Sequence, residues 1–341
     1  VLVVDNAPQA GAATGSTSTR ERTVPPRLMD VGGPCVGVDA SGRPVRLDGR
    51  HLWGGVAVVG AAGTGKSVLL RALFGWLLVH RERHPETAAL VVETKPDGLT
   101  SYEAVARAAG HADEVLVVEV ADSASPAIDM FARPGDDPLT RAAFVADTWA
   151  AAFGDGAIMG RSREVISAVV AAGLVLDEQA FDAYDRGRAG GSGAEPLPER
   201  SWFWAGAVLA GRMGEVSGQA LVACLHEQAV RQGEESWAAR ALAGLSIIWG
   251  PQVSAVARRG LTEAARNKFD QLRETAGFLA PVGRNAVTWD ESISGFHVTV
   301  LGTGPARRGG GQLTGAASQW LTAMAGYTMR SAVEGSCFGW A

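Results

Sequence analysis

Apolar residues fall into runs whose length and period change along the chain, and these runs predict most of its elements. Cys35 to Leu47 alternates apolar and polar positions around a Ser41-Gly42 turn, the pattern of a β-hairpin. Trp53 to Val59 has the short apolar pattern of a buried strand. Ser67 to His80 repeats apolar residues at 69, 70, 73, 74, 77 and 78, as a helix does. Ala88 to Val92 and Glu114 to Val120 are again strands, with a helix at Ser101 to Ala109 between them. Strands and helices alternating in this way predict a parallel sheet with helices on its faces, because parallel neighbours need a crossover and a helix supplies it.

From about Asp136 to Thr275 the period turns helical, with helices expected at 138–153, 162–176, 205–230, 236–245, 254–260 and 262–275, and a Gly- and Pro-rich break at 186–198. Phe296 to Leu301 then predicts a strand returning to the sheet, and a closing helix spans about Thr314 to Val333. The expected organisation follows: residues 1–50 as an N-terminal linker and hairpin, 51–135 as the first half of an α/β core, 136–285 as a helical insertion, and 286–341 as the return to the core. No internal repeat is apparent.

Composition narrows the class. The chain has 341 residues, 47% of them hydrophobic and 20% charged, enough apolar material for a sizeable core and against disorder throughout. A net charge of −5 excludes a basic nucleic-acid coat, so contact with DNA has to be local, through a loop or pore. Cys35, Cys224 and Cys337 are few and far apart, without disulfide framework or metal-ligand spacing, which fits a reducing cytosol. The longest apolar run, Val165 to Leu176, falls short of the roughly 18 residues of a membrane span. Of the 31 basic residues only Lys66, Lys95 and Lys268 are lysine. A lysine is a compact point charge, the kind a phosphate cradle uses, whereas arginine is a planar fork.

Lys66 stands in Gly60-Ala-Ala-Gly-Thr-Gly-Lys-Ser67, which fits GxxxxGK[ST] and lies between a predicted strand and a predicted helix, where a phosphate-binding loop has to lie. Its glycines let the backbone curl so that successive N–H groups point at phosphate oxygens, and the helix that follows adds its positive end. Gly60, Ala61, Ala62, Gly63, Thr64, Gly65, Lys66, Ser67 and Val68 are thus the expected nucleotide contacts, Lys66 reaching the β- and γ-phosphates of ATP and the Ser67 hydroxyl serving as a Mg2+ ligand. A second candidate is Glu93-Thr-Lys-Pro-Asp-Gly98, at the carboxyl end of the next strand, where open α/β sheets bind ligands. There Glu93 and Asp97 are expected to position Mg2+-bound water, and Lys95 to contact phosphate or DNA; the bland alternative is a polar strand-to-helix loop.

Other motifs read as decoys. Asn267-Lys-Phe-Asp270 spells a guanine-reading NKxD but sits in a helical pattern with no strand before it, which argues against a GTPase. Gly173-Leu-Val-Leu-Asp-Glu178 resembles an apolar strand ending in a catalytic Asp-Glu, yet continues a helical run from Glu164. His80 and His84 have helical spacing at a charged helix end and read as solvated. Arg258, Arg259, Arg266, Arg307 and Arg308 are candidate pore residues or arginine fingers, with solvated surface the plainer reading of each.

The order of these motifs resembles the FtsK/HerA-type P-loop ATPases, in particular the conjugal-transfer and type IV secretion ATPases of actinobacteria. The resemblance rests on Gly60 to Ser67, Glu93-Thr-Lys-Pro-Asp97, Ser125-Pro-Ala-Ile-Asp129, the hairpin Val36 to Val45, Ala265 to Leu272 and Val287 to Asp290, with departures from the usual residues at Glu93, Pro96 and Ser125. It implies a RecA-like P-loop NTPase core, mostly parallel, with a helical insertion, and a motor that uses ATP and Mg2+ to move DNA or a secreted protein. It further implies a homo-hexamer working with other subunits of a secretion complex, cytoplasmic and held at the inner face of the membrane through partners or missing segments. In such proteins the strand bearing the catalytic Asp-Glu follows the helix that ends here near Gly335, so the expectation is of a fragment, starting at Val1 and incomplete at its C-terminus, that is itself inactive, ATP hydrolysis belonging to the full-length protein. The alternative from another class is an assembly or scaffold module that binds ATP without turnover.

Overall fold

A computed structural model describes residues 33–47, 58–59, 61–83, 85, 88–129, 137–153, 160–189, 202–272, 286–288, 292, 298–308, 311–313 and 315–338. In chain order the elements begin with an antiparallel hairpin, β1 (Cys35–Val38) and β2 (Pro44–Arg46). Then come α1 (Lys66–Arg81), β3 (Ala89–Glu93), α2 (Pro96–Ala108), β4 (Val115–Glu119) and β5 (Ala127–Asp129). The helical stretch holds α3 (Pro138–Phe153), α4 (Arg161–Val175), α5 (Glu178–Ala189), α6 (Trp202–Leu209), α7 (Glu215–Gln232), α8 (Trp237–Trp249) and α9 (Ala255–Leu272). β6 (Ala286–Thr288), β7 (Val298–Gly302) and α10 (Gly315–Phe338) close the chain.

β3, β7 and β4 form a parallel sheet in that order, with β7 in the middle although it lies some 180 residues after β4. These three segments are apolar at nearly every position because both faces are covered. On one face Val91, Val298 and Val300 pack against Phe74 and Leu78 of α1 and Leu99, Tyr102 and Ala106 of α2. On the other, Leu90, Leu116, Val118 and Leu301 join the core of the helical stretch. The protein is therefore a mixed α/β structure built on a three-stranded parallel sheet.

Within the helical stretch α4 is central. Its Val165, Ile166, Val169, Val170, Ala171 and Ala172 are buried, and it packs against α3, α6, α8 and α9; a helix apolar on most sides has to sit inside. α10 lies against α3 and touches β3. Trp149 of α3 meets Phe269 of α9 and Trp320 of α10 edge-on, at 5.1 and 5.6 Å between ring centres. β5, just before the helices, pairs in parallel with β6, just after them, so the two ends of the helical stretch are drawn together.

Several expectations change. The helix expected at 205–230 is two, α6 and α7, because Gly211 (φ 81°) and Gly214 (φ 97°) take left-handed conformations that end one helix and start the next. Conversely, 254–260 and 262–275 merge into α9, which tolerates Gly260 inside it at about 1 kcal/mol relative to alanine. α2 starts five residues early, with Pro96 in its first turn, where a missing N–H does no harm. The run from Glu164 to Glu178 is not one helix: α4 stops at Val175, and Asp177 starts α5 by accepting the Ala180 amide at 2.8 Å. Of the strand expected at 53–59, residues 53–57 lie outside the described set. Val58 and Val59 are not in a strand, and Val59 is 92% exposed.

At the amino edge of the sheet a small charge cluster joins the ends of α1 and α2. His111 Nδ1 lies 2.9 Å from Glu114 and Nε2 3.3 Å from Glu82, while the buried Arg81 reaches Glu114 at 3.3 Å. The Glu114 hydrogen bond raises the His111 pKa above 6.5, and His111 in return lowers that of Glu114 below 4.5. The raised histidine stabilises the fold fully below pH 6.5, and the contribution is lost as pH rises through its native value; the lowered glutamate contributes above pH 4.5 and is lost as pH falls. Unfolding free energy is expected to decline as pH rises above 6.5, and His111→Gln to flatten that decline. An unchanged slope in the variant would rule the cluster out as its source.

Candidate functional site

Gly65, at φ 86°, sits in the left-handed region and turns the chain directly into α1, so the helix begins at Lys66 without a side-chain cap. Gly63 is also left-handed, at φ 80°. Any other residue would be strained at either position, which is why the turn needs glycine twice. A Cβ at either would meet nothing within 4 Å, so the constraint is the backbone angle and not space. The Ala61 carbonyl gathers the loop, accepting from the Thr64 amide at 3.4 Å, the Thr64 hydroxyl at 2.8 Å and the Lys66 ammonium at 2.6 Å. Ala61 to Gly65, Ser67 and Val68 are exposed and Lys66 is half-buried. The first amides of α1 have no acceptor within the helix and carry its positive end. Gly60 lies outside the described residues.

The second candidate lies at the carboxyl edge of the sheet. Glu93 ends β3, and its carboxylate folds back to accept the Lys95 amide at 2.9 Å. It then lies over Gly98, where a Cβ would come within 2.3 Å of its carboxyl carbon, so any larger residue there would push the Glu93 carboxylate aside. An acid against the start of a helix is favourable. Lys95 and Asp97 are exposed beside it. Burial, and after it Glu93, raises the Tyr102 phenol above 10, while Arg71 of α1 opposes the shift. Arg71, whose Nε donates to the Ser67 carbonyl at 2.9 Å, thus ties the first turn of α1 to the surroundings of Tyr102 on α2.

A third group was not legible as a unit. Glu93, Gly302 and Glu119 occupy one row across the sheet, so two strand-terminal carboxylates flank a glycine. The loop after β7 crosses that after β3 so closely that a Cβ at Gly304 would lie 2.0 Å from the Thr94 carbonyl oxygen, and Thr303 N–H donates to the Glu93 carbonyl at 2.9 Å. This crossing places Arg307 between two acids. Its guanidinium grips Glu103 at 2.7 and 3.1 Å and the buried Glu119 at 2.9 Å, and its amide also donates to Glu119. Glu103 first, and Glu119 with it, raises the Arg307 pKa. Arg307 is thus a clamp and not solvated surface; Arg308 is exposed. The one available signal for Glu119 was the Val-Val-Glu ending that β3 and β4 share.

The decoys resolve as structure. Lys268 of the NKxD lookalike is buried in α9 with its ammonium 4.3 Å above the Phe153 ring, and burial lowers its pKa; Phe269 is in the core and Asp270 pairs with Arg212. Asp177 is tied to α7 through Arg231 at 2.9 Å and Gln232 at 3.2 Å. His80 stacks on Trp76, and His84 lies outside the described residues. Among the described residues no group of three or more His, Cys, Asp or Glu is placed to hold a metal ion, and no helix is long and apolar enough to cross a membrane.

Fold and site together define a mixed α/β protein with a glycine-rich loop leading into the helix that covers its parallel sheet. No protein-family model matches the chain, and no curated protein matches it.

Proposed function

We propose that the chain is the ATP-binding part of a P-loop NTPase, a motor of the FtsK/HerA type that powers conjugal DNA transfer or type IV secretion. One observation carries the reading: a GxxxxGK[ST] loop with two left-handed glycines runs straight into the uncapped start of α1, on a helix that packs against a parallel sheet. The exposed loop, its open space at Gly63 and Gly65, and the exposed Ser67 suit a phosphate chain with Mg2+. The loop amides and Lys66 hold the β- and γ-phosphates, the ammonium leaving the Ala61 carbonyl for phosphate oxygens. Mg2+ held by Ser67 supplies charge neutralisation on those oxygens. Glu93, Lys95 and Asp97 are accessory groups at the carboxyl edge of the sheet. DNA or a secreted protein is the transported partner, and a homo-hexamer the working assembly.

A second reading, nucleotide binding without turnover in an assembly module, is favoured by the Arg307 clamp, which engages both Glu119 oxygens and so withdraws that carboxylate from orienting a water. Phosphate release by the full-length protein, with and without DNA, separates the two. The motor reading expects release that DNA stimulates and that Lys66→Ala abolishes. ATP bound with no release under either condition would leave the assembly reading in its place.

A further inference from the structure

Three of the chain's arginines converge on one cavity in the helical stretch, far along the sequence from the P-loop. α9 carries Arg258, Thr262 and Arg266 one turn apart on one face, with Arg259 beside them. With Gly214 and Glu215 at the start of α7, they line a cavity of about 330 Å³. Three guanidinium groups face one carboxylate there: Glu215 lies 3.1 Å from Arg259 and 4.0 Å from Arg258. The cavity therefore carries an excess of two positive charges in a chain whose net charge is −5.

Two of the arginines are built in. Arg258 is 17% exposed, stacks 4.1 Å above the Trp249 ring, and donates to the Ile248 and Val253 carbonyls at 3.1 and 3.2 Å. Arg266 donates to the Arg259 carbonyl at 3.2 Å, and its buried Nε has no hydrogen-bond partner among the described residues. Arg259 is 65% exposed, its tip reaching from the rim to Glu215. α7 is 18 residues long and starts at Gly214 (φ 97°) with no side-chain cap, so its positive end adds to the same side of the cavity.

We propose that this cavity is an anion site for a phosphate group. A tetrahedral oxyanion takes charge-assisted hydrogen bonds from several directions, and arginine forks with a helix start supply them. The volume exceeds that of a bare phosphate and leaves room for the ester carbon attached to it. Glu215 acts as the internal stand-in, holding Arg258 and Arg259 until a phosphate displaces its carboxylate.

That role gives two variants opposite signs. The test is a calorimetric titration with inorganic phosphate against chloride at constant ionic strength, on the chain carrying Lys66→Ala so that the P-loop lysine does not contribute. Phosphate is expected to saturate one site. Arg259→Ala weakens it by roughly tenfold, one charge-assisted bond, whereas Glu215→Gln tightens it several-fold. A single-stranded oligonucleotide titrated in parallel distinguishes the source: tighter binding than inorganic phosphate, with the same response to both variants, identifies a nucleic-acid backbone, and no gain identifies a free phosphate or small phosphoester. Phosphate binding no better than chloride, or an affinity unchanged in either variant, overturns the proposal.

Discussion

Arg307→Ala is expected to destabilise the chain by about 3 kcal/mol in urea unfolding at neutral pH. The cost comes less from the lost pair than from what it leaves behind. Glu119 is 4% exposed, and without Arg307 its carboxylate stays buried beside Glu103 with no cation between them. Breaking a buried pair on one side costs about 3–5 kcal/mol, and the lower end applies because Arg307 is itself a quarter exposed. Arg307→Lys keeps the charge but loses the two-point grip on Glu103, so an intermediate loss is expected. The loss should also loosen the crossing of Thr94 and Gly304, since Arg307 pins that loop to α2 and β4. A change below about 0.5 kcal/mol for Arg307→Ala would show that the clamp is ordinary surface.

Trp149→Ala is the other large effect, about 3–5 kcal/mol by the usual cost of emptying an aromatic core position. Trp149 is fully buried and meets Phe153, Phe269 and Trp320 edge-on, so one ring joins α3, α9 and α10. α10 in turn touches β3, and the cavity would open between the helices and the sheet they cover. Trp149→Phe keeps most of the contact and is expected to lose less than half as much. Thermal unfolding checks both, and a single transition shifted down by a similar amount in the two variants would mean that ring volume is not what the site requires.

What was legible in the sequence is what local pattern controls. Three strands of almost unbroken apolar residues announced a sheet buried on both faces, and α3 was read to the residue because its apolar period runs unbroken from Pro138 to Phe153. The turn into α1 was legible because the glycines it needs, Gly63 and Gly65, stand at fixed spacing before an apolar helical run. The break between α6 and α7 was not, since glycine within an apolar run reads as a tolerated interruption until its φ is known. α5 was missed because its few apolar residues are scattered among charges. The Arg307 clamp was hidden for a different reason. Its partners stand 188 and 204 residues away, and they meet only because β7 inserts between β3 and β4. The three cavity arginines likewise read as separate surface charges until the α6–α7 turn is folded against α9.

The central claim, that the loop at Ala61 to Ser67 holds the phosphates of ATP, is tested most directly by equilibrium titration of the chain and of Lys66→Ala with ATP in the presence of Mg2+. The account predicts saturable binding of one ATP per chain, preferred over GTP, with affinity roughly 10- to 100-fold weaker in the variant, as loss of charged hydrogen bonds to phosphate implies. Its melting temperature should stay within a degree or two of the parent's, because Lys66 is only half-buried at the first turn of α1 and alanine suits a helix start. Equal ATP affinity in the two chains, or no saturable binding by the parent, would contradict it.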